Sequence, residues 1–581
     1  MRKISLKYIY EIVIALVVYL VLVLSTSLVT DSYTFRHSEG LIVSAFSIII
    51  MSNLCDKSKA YISKLFTFTL FLCSIVWIKM QPDYTVEVGE LRKYLAFVIS
   101  FINITVLLLS FIENSKIRFV MKAIFNSALL LPVIVFWAYY FITGTWFTTD
   151  SLLAILQTNI SESQEYITNN VNIKVIAFGL TAIVACYFYS MYSGFVSLKK
   201  MNRKFYFATF CVLILCLFCL SKYRNNIVTE IPRQAFYTIS QYKSFNELRE
   251  GRRLSLNKIV TQNAKNANGV FVLVIGESQS KDHMSAYGYK RATTPWLDKE
   301  KNTSNMILFN NAYSCHVHTV PTLSYARTAQ NQYNVVDVKN AYSLLEIAEA
   351  VDFDTVWLSN QVKYSAWDTP LTFIADEANQ QKWINSNIGE TTSTDFFDEA
   401  LVKKFDELKY SPNMLIVVHL MGNHELYNKR YPKEFVKFNG GKANIDNYDN
   451  SILYNDYVMS KILARAKQVP NFQGLIYCAD HADAVDKNLA HNASQFDADM
   501  THIPLYIYFS DTYIGKNPTI YKTLRESQDK YFTNDLLFNL VLGVMNVNIS
   551  ELYEAENDLT SSKFDSNRNR FTTLYGKKSI Q

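Results

Sequence analysis

Residues 270–278 read VFVLVIGES and decide the fold of the C-terminal half of the chain. Six apolar residues follow one another without alternation and end at Gly276-Glu277-Ser278. A short, continuous apolar run of this kind is typical of a parallel strand that is buried on both faces. Further apolar runs extend the pattern along the chain: Thr355–Leu358, Met414–Leu420, Leu475–Asp480 and Ile503–Phe509.

Segments with helical character lie between these runs, among them AYSLLEIAEAV (residues 341–351) and DFFDEALVKKFDEL (residues 395–408). Strands that alternate with helices predict an α/β/α domain with a mostly parallel sheet. In open sheets of this class, ligands bind beyond the carboxyl ends of the strands. Residues at those ends are therefore the first candidates for a functional site.

Polar residues cluster at these predicted strand ends. Taken singly, each has an ordinary explanation, since an Asp after a strand often caps a helix and a lone His is usually structural. Together they repeat the residue types that bind zinc or manganese, which favours a metal site. The residues concerned are Glu277, His419, His424, the pair Asp480-His481, and the segment CHVHTVP at residues 315–321.

A nucleophile is expected beside such a metal, because a divalent cation lowers the pKa of a coordinated alcohol and neutralises phosphoryl oxygens. Thr319 lies in the His-rich turn before Val-Pro and is the first candidate. Ser278 and Ser314 are the alternatives.

The first 222 residues are predicted to be a transmembrane domain of five to seven helices. A helix needs about 20 mostly apolar residues to cross the hydrocarbon core, and some of the stretches are shorter. The apolar stretches are Ile12–Val29, Leu41–Leu54, Leu65–Ile78, Tyr94–Ile112, Ala123–Gly144, Val175–Val196 and Phe205–Leu220. The absence of a convincing cleavage site favours a retained first helix over a signal peptide.

The distribution of charge supports this division. The net charge of the chain is +6, yet residues 1–222 hold 19 Lys and Arg against 11 Asp and Glu, and the remainder is slightly acidic. Basic residues concentrate in alternate loops, which places the N-terminus in the cytoplasm and the C-terminal part outside. A basic excess confined to membrane loops argues against nucleic-acid binding. Residues 223–268 are predicted to be an amphipathic linker on the membrane surface, and residues 269–581 a catalytic domain.

Four segments together resemble the bacterial phosphoethanolamine transferases, within the alkaline phosphatase/sulfatase superfamily. This family decorates lipopolysaccharide at the inner membrane and includes the mobile colistin-resistance enzymes. The segments are VLVIGESQSKDHMSAYGYKRATTPWL (272–297), NAYSCHVHTVPTLSY (311–325), VVHLMGNHELYNKRYP (417–432) and IYCADHAD (476–483). The resemblance covers residues 270–510 and implies an alkaline phosphatase/sulfatase-like fold.

The resemblance also implies roles for individual residues. Glu277, Thr319, Asp480 and His481 match the ligands of a catalytic zinc ion, and Thr319 matches the nucleophile that carries phosphoethanolamine. His424 and His491 match histidines that bind substrate phosphate or a second zinc ion. Three further positions are assigned to the substrate: His318, and Thr158 and Glu162 near the membrane. His283 and His502 are interpreted as structural.

The activity implied is transfer of phosphoethanolamine from phosphatidylethanolamine to a core sugar or lipid A of lipopolysaccharide, by a monomeric enzyme whose catalytic domain is periplasmic. A phosphoglycerol transferase of the lipoteichoic-acid-synthase kind is the alternative. A sulfatase is disfavoured because sulfatases need the motif Cys-x-Pro-x-Arg to form formylglycine, whereas Cys315 is followed by His-Val. A membrane transporter or receptor with an outer binding domain is the non-enzyme alternative.

The cysteines depart from the disulfide-rich members of that family. Of the eight cysteines, Cys315 and Cys478 alone lie in the predicted outer domain. An oxidising compartment permits a bridge between them, and two free thiols are equally compatible with the sequence.

Overall fold

The computed structural model describes residues 6–30, 37–80, 87–157, 177–179, 181–182, 184–185, 198, 203–260, 264, 267–361, 370–384 and 397–580. The chain divides into two compact units, Met1–Leu152 with Tyr166–Phe236 and Leu153–Glu165 with Tyr237–Gln581. The first unit is helical and the second contains the large sheet.

The N-terminal region is built of long apolar helices. These are α1 (Leu6–Thr30), α2 (Glu39–Leu54), α3 (Ser58–Lys79), α4 (Val88–Ser110), α5 (Ser115–Thr143), α6 (Thr149–Gln157) and α7 (Arg203–Lys222). Among the described residues, five segments are long and apolar enough to cross a membrane: Tyr10–Leu28, Ser58–Lys79, Val88–Ser110, Ser115–Thr143 and Phe205–Lys222. The prediction of five to seven helices agrees with this number. The predicted stretch Val175–Val196 lies largely outside the described residues.

Apolar side chains on these helices point outward, as a lipid environment requires. Leu20, Leu24 and Leu131 are each more than half exposed, which would be unfavourable in water over so large a surface. The buried Arg92 is satisfied within the bundle, where its guanidinium donates to Thr26 Oγ1 at 3.0 Å and Ser27 Oγ at 2.9 Å. A charged group at such a position is tolerated only with partners of this kind.

Two helices occupy the predicted linker, α8 (Glu230–Glu247) and α9 (Arg249–Ile259). From α9, the buried Arg252 donates to Glu346 Oε1 at 2.9 Å. The linker helix α9 belongs to the second unit, and a buried ion pair fixes it to the rest of that unit. The predicted boundaries at residues 222 and 268 stay predictions.

A seven-stranded sheet organises the second unit. Seven of the strands described in this unit form that sheet, and the other four form two small sheets, β3 with β9 and β10 with β11. The strands are β1 (Val270–Gly276), β2 (Met306–Phe309), β3 (Asn311–Tyr313), β4 (Asp354–Ser359), β5 (Gln380–Trp383), β6 (Met414–His419), β7 (Phe472–Ala479), β8 (Leu505–Phe509), β9 (Tyr531–Thr533), β10 (Thr572–Thr573) and β11 (Lys578–Ser579). The order in the large sheet is β2-β8-β7-β1-β6-β4-β5. Pairing is parallel from β7 through β5, and β8 pairs antiparallel with both of its neighbours.

Helices cover this sheet on both faces. They are α10 (Pro295–Glu300), α11 (Thr319–Ala326), α12 (Leu344–Ala350), α13 (Pro370–Ala375), α14 (Ala400–Lys404), α15 (Ala443–Ala466), α16 (Asp511–Lys516), α17 (Pro518–Arg525) and α18 (Leu537–Val544). Successive residues of β1 alternate between two cores: Phe271, Leu273 and Ile275 enter one, while Val270, Val272 and Val274 enter the other. Both faces of the strand are thus buried, which explains its continuous apolar sequence. The predicted α/β/α class with a mostly parallel sheet is confirmed.

Candidate active site

The central strands β1 and β7 end side by side and bring their following residues together. Their register pairs Gly276 with Ala479, and the Asp480 N–H donates to the Gly276 carbonyl at 3.0 Å. Glu277 and Asp480 are therefore neighbours at the carboxyl edge of the sheet, where ligands of this fold class bind.

Glu277, Asp480 and His481 form a fully buried group. His481 Nε2 lies 3.4 Å from Glu277 Oε1 and 3.4 Å from Asp480 Oδ2. One ligand atom from each of the three residues lies within 4.8 Å of the others. Two carboxylates and an imidazole at this spacing are able to hold one divalent cation.

Thr319 joins this group from the first position of α11. Its Oγ1 donates to Glu277 Oε1 at 3.2 Å, with Oε2 at 3.3 Å, and lies 3.3 Å from His481 Nε2. The side chain is half-buried, so its hydroxyl is the accessible member of an otherwise buried cluster. The structure thus places the hydroxyl of the sequence-predicted nucleophile within 3.3 Å of both Glu277 carboxylate oxygens and of His481 Nε2.

The backbone around Glu277 is held in an unusual conformation. Ser278 adopts a left-handed φ of 53°, donates its N–H to Asp480 Oδ1 at 3.0 Å, and donates its hydroxyl to Glu277 Oε1 at 2.9 Å. Gly422 packs against this turn, because a Cβ there would lie 2.8 Å from the Glu277 carbonyl oxygen. Strained residues of this kind persist where the surroundings fix a functional geometry.

The electrostatics of the metal-free protein follow from burial. Burial raises the pKa of Glu277 to about 7. Burial, reinforced by the charge of Glu277, raises the pKa of Asp480 to about 7 as well. Burial lowers the pKa of His481, so its ring is neutral near pH 7. Raised pKa values of buried carboxyl groups beside a neutral imidazole are expected where no cation compensates the carboxylate charges.

The residues present fit a zinc ion. The donor set combines two carboxylates, one neutral imidazole and one hydroxyl, all of which are oxygen or nitrogen ligands of zinc. Asp480 Oδ2 is buried, and no residue in the described part of the chain donates a hydrogen bond to it. Burial of a carboxylate oxygen without a hydrogen-bond donor is energetically unfavourable unless a cation contacts that oxygen.

A second group surrounds the predicted substrate histidine His491. Its Nδ1 lies 2.7 Å from Asp483 Oδ1, and its ring centroid lies 4.5 Å from that of His481. Burial alone would lower the pKa of His491, but the Asp483 carboxylate outweighs it and raises the pKa to about 9. His318 is also close, with its ring centroid 5.9 Å from that of His491.

His424, the other substrate histidine, lies on the loop after β6. Burial, with smaller contributions from Arg430 and His491, lowers its pKa to about 3. His491 and His481 also contribute to this lowering of the pKa of His424. Thr158 and Glu162, the proposed substrate residues near the membrane, lie outside the described residues.

The remaining candidates have other environments. His283 and His502, interpreted as structural, pair through Nδ1 with Asp449 at 2.8 Å and Asp282 at 2.6 Å, respectively. The alternative nucleophile Ser314 is completely buried. Cys315 and Cys478 are buried free thiols, and burial raises the pKa of the Cys315 thiol.

Sequence reasoning missed several residues that support the site. Gln361 Nε2 donates to the Leu420 carbonyl at 2.7 Å and lies 3.4 Å from Glu277 Oε2. Tyr427 donates its hydroxyl to Asp483 Oδ2 at 2.7 Å. The second acid of the Asp-His-Ala-Asp segment was a usable signal for Asp483, whereas nothing in the sequence pointed to Gln361 or Tyr427.

Residues 270–547 match the family model described as Sulfatase. The sheet region of the second unit is therefore similar to the sulfatase family, in agreement with the resemblance drawn from its motifs. The matched range begins at the first residue of β1 and includes Glu277, Asp480 and His481, the buried candidate metal ligands.

Within this class, the homologues of the chain are phosphoethanolamine transferases. Phosphoethanolamine transferase EptC of Escherichia coli O18:K1:H7 is 26% identical over 461 residues, which cover 68% of this chain and 79% of that protein. The C-terminal periplasmic domain of EcEptC from Escherichia coli, solved as a complex with Zn, is 27% identical with a TM-score of 0.50. That match covers 55% of this chain and 93% of the solved domain.

A full-length membrane protein shares the fold. The lipooligosaccharide phosphoethanolamine transferase A (EptA) from Neisseria meningitidis has a TM-score of 0.55 at 17% identity. The match covers 89% of this chain and 97% of that protein. The fold of this chain is thus similar to that of a solved integral membrane protein over most of the length of both.

Proposed function

We propose that this protein transfers phosphoethanolamine from phosphatidylethanolamine to lipopolysaccharide through a phosphorylated Thr319. The observation that carries the proposal is the position of Thr319 Oγ1, 3.2 Å from Glu277 Oε1 and 3.3 Å from His481 Nε2. The names of the homologues support the transferred group, and the apolar helices support a lipid donor. We place the sheet domain on the periplasmic side of the inner membrane, in keeping with the basic loops of the first unit.

Zinc is the metal we propose, held by Glu277, Thr319, Asp480 and His481. When bound, a divalent cation lowers the pKa of the alcohol that it contacts and neutralises charge on the phosphoryl oxygens. The buried Asp480 Oδ2 without a hydrogen-bond donor and the zinc complex of the EcEptC domain support this choice.

The residues of the chain account for two half-reactions. Thr319 Oγ1 attacks the phosphorus of the donor, its bond to phosphorus forms as the bond to the diacylglycerol oxygen breaks, and diacylglycerol leaves with a proton. A hydroxyl of the acceptor then attacks the phosphorus on Thr319, and the threonine oxygen leaves and recovers a proton. Because Thr319 is the first residue of α11, backbone N–H groups of the first turn favour the negative charge that forms there.

The substrate-side histidines complete the proposed site. His491 carries a proton near neutral pH because of Asp483, which suits it to bind a phosphate oxygen. His424 and His318 are the other residues that we assign to phosphate binding. The number of metal ions in this scheme is one, with His424 and His491 serving substrate.

The test uses the purified full chain in vesicles that contain phosphatidylethanolamine and lipopolysaccharide. Mass spectrometry of the peptide that contains Thr319 should show one phosphoethanolamine adduct, and lipopolysaccharide should gain the same group. Thr319→Ala should abolish both products, while Thr319→Ser should retain part of the activity because it keeps a hydroxyl at the same place.

Ser314→Ala is the matched control, since Ser314 carries the alternative hydroxyl of the same segment. This variant should transfer phosphoethanolamine at the wild-type rate. Continued modification of lipopolysaccharide by Thr319→Ala would refute the assignment of the nucleophile. Vesicles in which phosphatidylglycerol replaces phosphatidylethanolamine test the donor. Equal turnover of that donor would instead support a phosphoglycerol transferase.

A further inference from the structure

Three side chains form a continuous hydrogen-bonded chain that ends beside the proposed metal group. Tyr427 donates its hydroxyl to Asp483 Oδ2 at 2.7 Å, and Asp483 Oδ1 lies 2.7 Å from His491 Nδ1. Tyr427 and Asp483 are buried, whereas a quarter of the His491 side chain is exposed. The chain therefore runs from the interior of the domain to the accessible ring of His491.

The loops that carry these residues are closely fixed. Leu426 adopts a left-handed φ of 63° directly before Tyr427, whose ring lies edge-on to that of Tyr448 at 4.8 Å. On the other side, Ala484 exchanges backbone hydrogen bonds with Leu489 and Ala490, which closes a loop just before His491. Neither Tyr427 nor His491 is free to change its position without disturbing these contacts.

We propose that Asp483 and Tyr427 are positioning residues for the substrate-side histidines. Asp483 fixes the ring of His491, and Tyr427 fixes Asp483 while joining it to the loop that carries His424 three residues earlier. This inference rests on the proposed function, which assigns His424 and His491 to the phosphate of the substrate.

The hydrogen bond between Asp483 and His491 determines the role that we assign to Asp483. A carboxylate accepts hydrogen bonds, so it keeps a proton on His491 Nδ1 and leaves Nε2 as the atom that meets the ligand. Asp483 is close enough to His481 and His491 to be considered a metal ligand itself. Both of its oxygens, however, are already hydrogen-bonded at 2.7 Å, one to Tyr427 and one to His491, which favours the positioning role.

The chain contains a matched control for this arrangement. His283 Nδ1 lies 2.8 Å from Asp449 Oδ1, and Tyr289 donates its hydroxyl to Asp449 Oδ2 at 3.0 Å. This Tyr–Asp–His network repeats the one at His491, but the structure brings none of its residues into the metal-ligand groups that contain His481. Tyr289→Phe and Tyr427→Phe therefore remove the same hydroxyl from two Tyr–Asp–His networks, which differ in that Asp449 also forms an ion pair with Arg291 Nη1 at 2.7 Å.

The experiment measures binding of O-phosphoethanolamine, as the probe, to the zinc-loaded full chain, together with kcat and KM for transfer. Tyr427→Phe should weaken binding of the probe about tenfold and lower kcat/KM by a similar factor, the usual effect of losing a supporting hydrogen bond at such a site. Asp483→Asn should lower both further. Tyr289→Phe should leave both unchanged, and bound zinc should stay at the wild-type amount in every variant.

The decisive comparison uses His491→Ala as the background. If Tyr427 and Asp483 act through His491, adding Tyr427→Phe or Asp483→Asn to His491→Ala should cause no further loss of binding or kcat/KM. A purely structural role would make the losses multiply, and that result would overturn the proposal. So would unchanged binding and kcat/KM in Tyr427→Phe.

The failure of this proposal and that of the proposed function are distinguishable. Normal transfer by Tyr427→Phe would refute the positioning role and leave the transferase intact. Absence of transfer by the wild type, together with weakened, non-additive binding of O-phosphoethanolamine in the variants, would refute the transferase and retain the positioning role. Failure of the wild type to bind the probe would refute the positioning of a phosphate-binding histidine.

Discussion

Zinc affinity at the Glu277–Asp480–His481 group should depend steeply on pH near neutrality. Burial raises the pKa of both carboxyl groups to about 7, so each holds a proton below that pH. Zinc binds the ionised forms, and affinity is therefore present above about pH 7 and lost as the pH falls below it. His481 contributes little to this dependence because burial lowers its pKa and keeps its ring neutral.

The magnitude follows from the two pKa values. If both groups titrate near pH 7, the fraction of protein with both ionised is about 0.8 at pH 8 and about 0.01 at pH 6. The Kd for zinc should therefore rise about 100-fold across this range, which is about 2.7 kcal/mol. Ordinary carboxyl groups, with pKa values of about 4, would change the Kd very little over the same interval.

The assay is competition between the metal-free full chain and a chromophoric chelator, corrected at each pH for protonation of the chelator. Glu277→Gln is the matched variant: it should bind zinc more weakly, and its Kd should change by at most about tenfold, because one titrating group is gone and the charge that helped raise the pKa of Asp480 is gone with it. A wild-type Kd that changes by less than about threefold would refute the argument from burial, since it would mean that both carboxyl groups are already ionised at pH 6.

Other predictions concern metal removal and packing. Treatment with a chelator should stop transfer, and added zinc should restore it; transfer that survives verified removal of metal would exclude a metal-dependent reaction. Gly422→Ala should weaken zinc binding at least about tenfold, because its Cβ would meet the Glu277 backbone at 2.8 Å in a left-handed conformation; a wild-type Kd would contradict this. Arg252→Met should destabilise the second unit by about 3–5 kcal/mol in thermal or denaturant unfolding, because it leaves Glu346 buried without its partner; an unchanged transition would contradict the role of this ion pair.

The central strands were predictable from the sequence because a strand that is buried on both faces consists almost entirely of apolar residues. β1, β6 and β7 are buried on both faces, so nearly every position is apolar and each run ends where the chain leaves the sheet. The edge strand β5 lacks this apolar pattern and was not predicted. All four of its residues, Gln380–Trp383, are only half-buried, and they include polar side chains. Helix α12 was predicted, and its start at Leu344 is explained by a capping box between Ser343 and Glu346.

The candidate site was predictable in part. Glu277, Asp480 and His481 follow strands directly, so the rule that places ligands at carboxyl ends was sufficient to bring them together. Thr319 depends on how α11 packs against the sheet, and its proximity to Glu277 is a property of the folded chain. The left-handed turn at Ser278 is likewise a tertiary feature, because a serine carries no sequence signal for positive φ.

The energetics of the buried group argue for a cation on their own. Glu277 and Asp480 are at most 1% exposed, and among the described residues neither forms an ion pair with a lysine or arginine. In the metal-free protein, burial favours the protonated forms of both carboxyl groups beside the neutral imidazole, while the charge of His491 and the hydrogen bonds to the carboxylates oppose this in part. If Glu277 and Asp480 had only a structural role, we would expect a basic residue paired with them or apolar residues in their place, because unpaired buried acids destabilise a fold. A divalent cation would displace both protons and compensate both charges, so the same residues that cost stability without metal would form a pH-sensitive site with it.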